Sequence, residues 1–278
     1  MVLTWNGLDD TLECLGSLRH LTTPFALIVA DNGSSDGTPD RVTHDFPEAI
    51  VLRLGQNLGY AAGNNRGAEA ALALGVEYIL FLNNDAVMEP DSLDQLLGVM
   101  ERHANLGILG PLTYQSDSGR IVATGHTWDL WTAGIQSVPL PAVGLPDYLA
   151  VDYVWGCGMC VRSTLWSRLG GFDSRYFAYF EDADLCFRAK RLGFETALVP
   201  RAVIRHRVSG TANRVFWRQT RLRAVNHLRF FAIHSAPWQR AVAVPIYLGY
   251  RLPLFLYASA RVYWGLRRKE KHGSKDRP

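Results

Sequence analysis

The run Tyr78-Ile79-Leu80-Phe81-Leu82 passes directly into Asn83-Asn84-Asp85. Five apolar residues bounded by turn-forming ones fit a strand covered on both faces, as in the middle of a parallel sheet. A lone carboxylate where such a strand ends is poised to hold a divalent metal carrying phosphates, because Mg2+ and Mn2+ take oxygen ligands and keep substrate oxygens in their shell. The same residues also suit a helix cap. Pro90-Asp91-Ser92 opens the next helix, with Leu93, Leu96 and Leu97 inward.

Upstream, Val2-Leu3-Thr4 reads as a strand ending at Trp5-Asn6-Gly7, and residues 8 to 20 read as a helix with Leu8, Leu12, Leu15 and Leu18 on one face. Phe25 to Ala30 is a second apolar strand. It ends in Asp31-Asn32-Gly33-Ser34-Ser35-Asp36-Gly37-Thr38, small polar residues at the strand end where α/β sheets bind ligands. The same turn can cap a helix through Ser35 or Asp36. Ile50 to Leu54 is a third strand, followed by Asn57-Leu58-Gly59-Tyr60-Ala61-Ala62-Gly63-Asn64-Asn65-Arg66-Gly67. Glycines there admit a ligand close to the backbone, and a helix over 62–74 aims N–H groups at phosphate, with Arg66 available to a diphosphate oxygen. The G-x-G-x-x-G dinucleotide spacing is absent.

Downstream, Gly107 to Pro111 is a short strand, and residues 112–150 read as an irregular insertion or short hairpins. Tyr153 to Val161 returns to a strand pattern, and Leu165 to Leu169 is a short helix closed by Gly170-Gly171. In Phe177-Ala178-Tyr179-Phe180-Glu181-Asp182-Ala183-Asp184-Leu185, three acids crowd the start of a helix whose inner face is Leu185, Ala189 and Leu192. The aromatic residues before them dry the acids and favour a general base. Thr196 to Pro200 and Ala202 to His206 are two extended pieces, the second ending on an imidazole that can complete a metal site begun elsewhere.

The 278 residues, 48% hydrophobic, suffice for one large domain with an appendage. Charge is segregated: residues 1–200 hold 12 Lys+Arg against 24 Asp+Glu, and residues 201–278 hold 17 against 2. A basic tail on an acidic body points to an anionic surface. Arg218, Arg221, Arg223 and Arg229 alternate with Trp217, Leu222, Leu228, Phe230 and Phe231 in a helical stretch from Val215. Residues 241–264 are apolar but contain Pro245, Arg251, Pro253 and Arg261. A spanning helix would bury Arg251 at a cost of about 2.5–3.5 kcal/mol. The expectation is an interfacial helix pair, with Trp238, Tyr247, Tyr250, Tyr257, Tyr263 and Trp264 at headgroup depth and Arg267, Arg268, Lys269 and Lys271 on anionic lipid. The competing reading is a helix packed on the body or in a dimer contact. The aromatic belt suits lipid better than nucleic acid. No basic leader precedes the first strand, so a cytoplasmic site at the inner face of the membrane is expected, with Cys14, Cys157, Cys160 and Cys186 as buried free thiols.

Thr4-Trp5-Asn6, Asp31 to Thr38, Asn57 to Asn65, Leu82 to Asp85, Gly170-Gly171-Phe172-Asp173, Phe180 to Leu185 and His206, in this order, resemble a family-2 glycosyltransferase, close to the rhamnosyltransferase-like enzymes of cell-envelope polysaccharide assembly. The resemblance spans residues 1–210. It implies the α/β GT-A fold, a mixed, mainly parallel sheet flanked by helices, followed by a C-terminal helical extension over 211–278. It implies an inverting transfer of sugar from a nucleoside-diphosphate donor, dTDP-rhamnose-like or a UDP-sugar, to a hydroxyl of a glycan or lipid-linked acceptor. Asp31 would meet the base, with Thr4, Asn6 and Asn57 lining the nucleotide pocket. Asn83-Asn84-Asp85 stands where the family carries D-x-D. Asn83 would reach ribose, and Asp85 and His206 would hold Mg2+ or Mn2+. Asp182 would be the base, with Glu181 and Trp155 near the acceptor, and Arg66 would steady the departing diphosphate. Relatives carry more apolar residues before Thr4, so a short first strand is expected. A non-catalytic sugar-nucleotide or glycan-binding protein, or a nucleotidyltransferase, is the alternative. The second wants a basic glycine-rich loop that Thr4-Trp5-Asn6-Gly7 lacks.

Overall fold

A computed structural model describes residues 1–207 and 212–261, with only the backbone of 212–216. In chain order the elements are β1 (Val2–Thr4), α1 (Leu8–Leu18), β2 (Ile28–Asp31), α2 (Thr38–Asp45), β3 (Ile50–Arg53), α3 (Tyr60–Ala73), β4 (Tyr78–Asn83), β5 (Ala86–Met88), α4 (Ser92–Arg102), β6 (Leu106–Gln115), β7 (Ile121–Ala123), β8 (His126–Asp129), β9 (Gly134–Ser137), β10 (Leu149–Val151), β11 (Met159–Arg162), α5 (Ser163–Leu169), α6 (Glu181–Arg191), β12 (Glu195–His206), α7 (Ala212–His234) and α8 (Pro237–Ile246). The chain forms two compact units, one of Met1–Thr127 with Gln136–Val208, the other of Trp128–Ile135 with Ser209–Pro278.

The first unit is built on a mixed ten-stranded sheet of order β10-β12-β6-β11-β4-β1-β2-β3, with β5 on β12 and β7 on β6. Its N-terminal half, β4-β1-β2-β3, is wholly parallel. The expected α/β architecture is therefore present. β2 and the middle of β4 are buried because Ile28, Val29, Ala30, Ile79, Phe81 and Leu82 have helices on either face. Leu15, Leu18, Leu96, Val99 and Met100 supply one of those faces. The Met1 amino group is buried against the Leu80 carbonyl at 2.6 Å, and burial lowers its pKa to about 6.

Three sequence expectations are corrected. The two extended pieces around Pro200 are one strand, β12, carrying an irregularity between Val199 and Val203. Its neighbour across that irregularity is Pro111, which lies inside β6 rather than at its end. The strands thus gather both prolines at one bulge, where missing N–H donors disturb the ladder least. Tyr153 to Gly158 is a loop and only Met159–Arg162 is strand. Gly158, at φ +82°, breaks the extended path there. Leu192 is 40% exposed at the end of α6, so the buried face of that helix is Ala183, Leu185, Cys186 and Ala189.

In the second unit Trp128 lies flat on Phe230, with ring centroids 3.8 Å apart. The Tyr247 ring meets His227 at 4.4 Å. Pro237–Arg261 is one helix, long and apolar enough by length and composition to cross a membrane. A π-helical turn, Tyr247–Arg251, interrupts it just after Pro245. Arg251 donates from Nε to the Thr132 carbonyl at 2.7 Å, so that donor is satisfied inside the unit. Trp238, Tyr250, Leu254 and Tyr257 stand exposed on the helix. Tyr263, Trp264, Arg267, Arg268, Lys269 and Lys271 lie outside the described residues.

Candidate active site

Strand register brings the candidate residues to one edge of the sheet. Thr4 pairs with Asp31, Asp31 with Arg53 and Leu3 with Asn83, so the C-terminal ends of four parallel strands align. β11 runs antiparallel to β4, so the Trp155-Gly156 loop before it arrives at the same end, where the Gly158 N–H donates to the Phe81 carbonyl at 2.8 Å. β12 pairs with β5 so that His206 faces Ala86, one residue beyond Asp85. This is the edge at which open α/β sheets take their ligands.

The nucleotide side of the edge is a web of short polar contacts. Asp31, 2% exposed, accepts the Ser34 N–H at 3.1 Å. The Asn32 amide donates to Asn57 Oδ1 at 3.2 Å and to the Gly59 carbonyl at 3.1 Å, and accepts the Leu58 N–H at 2.9 Å. It therefore ties the loop after β2 to the loop before α3. Asn57 uses the same Oδ1 to accept the Gly59 N–H at 2.9 Å. Asn6, at φ +49°, accepts the Ser35 N–H at 2.8 Å. Thr4 and Thr11 share a hydroxyl contact at 2.8 Å, and the Asn84 amide donates to Thr11 at 3.1 Å. Asn84 and Thr4 thus fasten β1 and α1 to the end of β4. Arg66 lies elsewhere: it is exposed on the second turn of α3 and ion-paired with Glu69 at 3.0 Å. No described contact joins it to the strand-end residues.

Asp85 and His206, 121 residues apart in sequence, meet at 2.9 Å between Oδ1 and Nε2. Asn83 Nδ2 lies 3.4 Å from the same His206 nitrogen. Asn83 Oδ1 and His206 Nδ1 are buried with no hydrogen-bond partner among the described residues. A carboxylate, an imidazole and unsatisfied polar atoms at one point fit a hard divalent cation that also takes donor oxygens. Among the described residues no three His, Cys, Asp or Glu side chains are placed to hold a metal ion together, so Asp85 and His206 would share such an ion with substrate oxygens.

Asp182 sits in the first turn of α6. Its Oδ2 accepts the Gly156 N–H at 3.0 Å and its Oδ1 accepts the Ala183 N–H at 2.8 Å. Burial raises its pKa above the ordinary carboxylate range, while the Ala183 and Gly156 N–H groups oppose the rise. Glu181 beside it is 4% exposed, and burial, then the Asp182 charge, push its pKa well above the ordinary value. The turn that delivers both acids is strained: Tyr179 and Phe180 have φ of +71° and +76°. Two consecutive bulky residues in the left-handed region cost about 1–3 kcal/mol each, a pattern found at functional sites. That segment is held by the Tyr60 N–H, which donates to the Phe177 carbonyl at 2.6 Å. Gly59, at φ +86°, permits the approach, since a Cβ there would collide with the Phe177 carbonyl oxygen. Trp155 stacks on His126 at 5.8 Å, and His126 on Tyr153 at 4.8 Å. Burial lowers the His126 pKa to about 4, so the stack is uncharged at neutral pH.

Sequence reasoning passed over Asn32, Tyr60, Gly156 and His126 as site residues. Asn32 and Tyr60 lay inside motifs already singled out, and a polar residue following Asp31 was a usable signal. Nothing in the spacing marked Gly156 or His126.

A mainly parallel α/β sheet that gathers a strand-end Asx triplet, a distant histidine and the Glu181-Asp182 pair at one edge has the architecture of a GT-A glycosyltransferase. Residues 1–147 match the model of glycosyl transferase family 2, and residues 78–267 match that of glycosyl transferase family group 2. The chain belongs to glycosyl transferase family 2. It is 30% identical over 226 residues to the N-acetylglucosaminyl-diphospho-decaprenol L-rhamnosyltransferase of Mycobacterium tuberculosis, covering 72% of each chain. It is 27% identical to the rhamnosyltransferase WbbL of Escherichia coli K12, covering 72% of this chain and 80% of that one. Among solved structures, a mannosyltransferase from Pyrobaculum calidifontis in complex with GDP-Man and Mn2+ shares the fold with a TM-score of 0.62 at 18% identity, covering 94% of this chain and 72% of that one.

Proposed function

We propose that this glycosyltransferase moves a deoxyhexose of the rhamnose kind from a nucleoside-diphosphate donor to a hydroxyl of a lipid-linked glycan, by a single inverting displacement assisted by Mg2+ or Mn2+. The observation that carries the reading is the meeting of Asp85 with His206 at the strand-end edge that also receives Asp182 through Gly156. The relatives' acceptor and sugar supply the substrate class.

In this mechanism Asp182 removes the proton from the acceptor hydroxyl as that oxygen attacks the anomeric carbon from the face opposite the leaving group. The bond from the anomeric carbon to the diphosphate oxygen breaks, and the nucleoside diphosphate leaves with the bonding electrons. Asp31, Asn32 and Asn57 hold the nucleoside, and Thr4, Asn6 and Asn84 brace the loops around it. Asp85 and His206 would hold the cation, with Asn83 beside them. When bound, the metal supplies positive charge to the departing diphosphate. Trp155, on its stack, gives the acceptor sugar an apolar face, with Glu181 beside it.

Residues 1–210 carry the chemistry and 211–278 bring it to the membrane. The exposed Trp238, Tyr250, Leu254 and Tyr257, on a segment with 17 basic and 2 acidic residues from position 201 onward, suit the anionic inner face of the cell membrane. The test is a panel of nucleotide sugars assayed for transfer to a polyprenyl-diphosphate N-acetylglucosamine acceptor in anionic vesicles. Transfer from a deoxyhexose donor supports the reading. Selective transfer from another sugar, or transfer only to a soluble acceptor, overturns the assigned substrate.

A further inference from the structure

Two buried polar groups at the acceptor end take no part in the displacement as drawn. Glu181 is 4% exposed and its Oε2 has no hydrogen-bond partner among the described residues. The Tyr60 hydroxyl is likewise buried, with the Asn64 side chain beside it. Gly156 links this hydroxyl to the base: its N–H donates to Asp182 Oδ2 at 3.0 Å, and a Cβ placed on it would lie 2.7 Å from the Tyr60 oxygen. Tyr60, Gly156 and Asp182 are therefore in contact around one small space.

Glu181 is buried and Asp182 beside it half-buried, and two neighbouring carboxylates with no cation between them resist ionising together. The third acid of the turn, Asp184, has its own partner, Arg188, at 2.7 Å. No described ion pair serves Glu181 or Asp182. The backbone donors decide which of the two takes the charge. Asp182 accepts two N–H groups, from Gly156 and Ala183, whereas Glu181 leaves an oxygen bare. Hydrogen bonds to the charged form favour that form, so the negative charge belongs on Asp182.

Resting on the assignment of Asp182 as base, we infer that Glu181 is a positioning residue that holds the proton of the pair, so that Asp182 alone carries the charge the reaction uses. The surroundings agree. The groups facing the pair are Asp184 and Cys186 on the same helix, Tyr60 from α3 with Cys157 beside it, and Tyr153 from the loop before β11; burial raises the pKa of Tyr60, Tyr153, Cys157 and Cys186, so none is ionised at neutral pH. The charge nearest Glu181 is that of Asp182, which reinforces its protonation.

The test combines infrared spectroscopy with kinetics on the full chain. A protonated carboxylic-acid C=O stretch is expected at pH 7 in the wild type and should vanish in Glu181→Gln. Glu181→Ala should lower kcat with the donor KM little altered. Glu181→Gln, which keeps the shape and neutrality of the protonated acid, should recover at least about tenfold of that loss. The acid limb of kcat/KM in Glu181→Gln should stay within about 0.3 pH unit of wild type, since a neutral group is exchanged for a neutral group. Absence of the infrared band in the wild type, or a fall of that limb by about a unit or more, overturns the inference. Failure of the base assignment is separable: it would show as turnover in Asp182→Asn, whereas the band in the wild type reports on Glu181 alone.

Discussion

Replacing Asp182 by Asn removes the proton acceptor and leaves the volume intact. A positioned general base contributes about 10²–10⁴ in rate, or about 3–5 kcal/mol of barrier. The fold pays little for the change. Asp182 accepts N–H groups from Gly156 at 3.0 Å and Ala183 at 2.8 Å, and an amide has one oxygen to offer them. One donor then faces the new NH2, at a cost of about 1–3 kcal/mol. Against this, a half-buried carboxylate beside Glu181 disappears, and with it the desolvation that raises the Asp182 pKa. The two effects oppose each other, so stability should move by less than about 2 kcal/mol and Tm by no more than about 6 °C. No described contact joins Asp182 to Asn83, Asp85 or His206, so nucleotide affinity should survive. Transfer kinetics with a labelled donor, alongside calorimetric titration of the nucleoside diphosphate, measure both halves. Turnover within about threefold of wild type, with intact nucleotide binding, would refute the assignment.

Removing the metal with excess EDTA should abolish transfer, and added Mn2+ should restore it; His206→Ala should weaken Mn2+-dependent nucleotide binding by about tenfold or more, read by titration. Full activity in EDTA would remove the metal from the mechanism. Arg188 neutralises the fully buried Asp184 and donates to the Leu169 and Gly171 carbonyls at 2.8 Å, so Arg188→Ala should destabilise the fold by about 3–5 kcal/mol in urea unfolding, with a loss below about 1 kcal/mol counting against that role. The raised pKa values of Glu181 and Asp182 mean that the native state binds more protons than the unfolded chain above their ordinary values of 4.5 and 3.8. Their contribution is therefore fully present below those values and is lost as pH rises toward the raised ones. Glu181→Gln should accordingly gain on wild type by up to about 1.4 kcal/mol per pH unit above that range, and parallel stability profiles would contradict it.

Much of the parallel half of the sheet was legible because its strands are uninterrupted apolar runs ending in Asx residues. β4 and the loops after β1, β2 and β4 stood out for that reason. The other half was read poorly because its order comes from partners remote in sequence. β6 continues through Pro111 only because β12 bulges opposite it, and beyond β6 the stretch to residue 150 is divided, with β7 on β6, β10 on β12, and β8 and β9 paired separately. The acids of α6 were visible as acids. Their partners were not, since a backbone N–H such as that of Gly156 leaves no signature in side-chain type. The left-handed Tyr179 and Phe180 have no propensity signal either, and the contacts that hold their segment run from Gly59 and Tyr60 to Phe177. Asp85 and His206 were each suggestive, but only the register of β5 on β12 brings them together.

Transfer from a nucleotide sugar of known anomeric configuration, followed by NMR of the new glycosidic centre, examines the single displacement itself. A product of configuration opposite to the donor's is what one base, one metal-held diphosphate and no covalent intermediate require. A product that keeps the donor's configuration would contradict it.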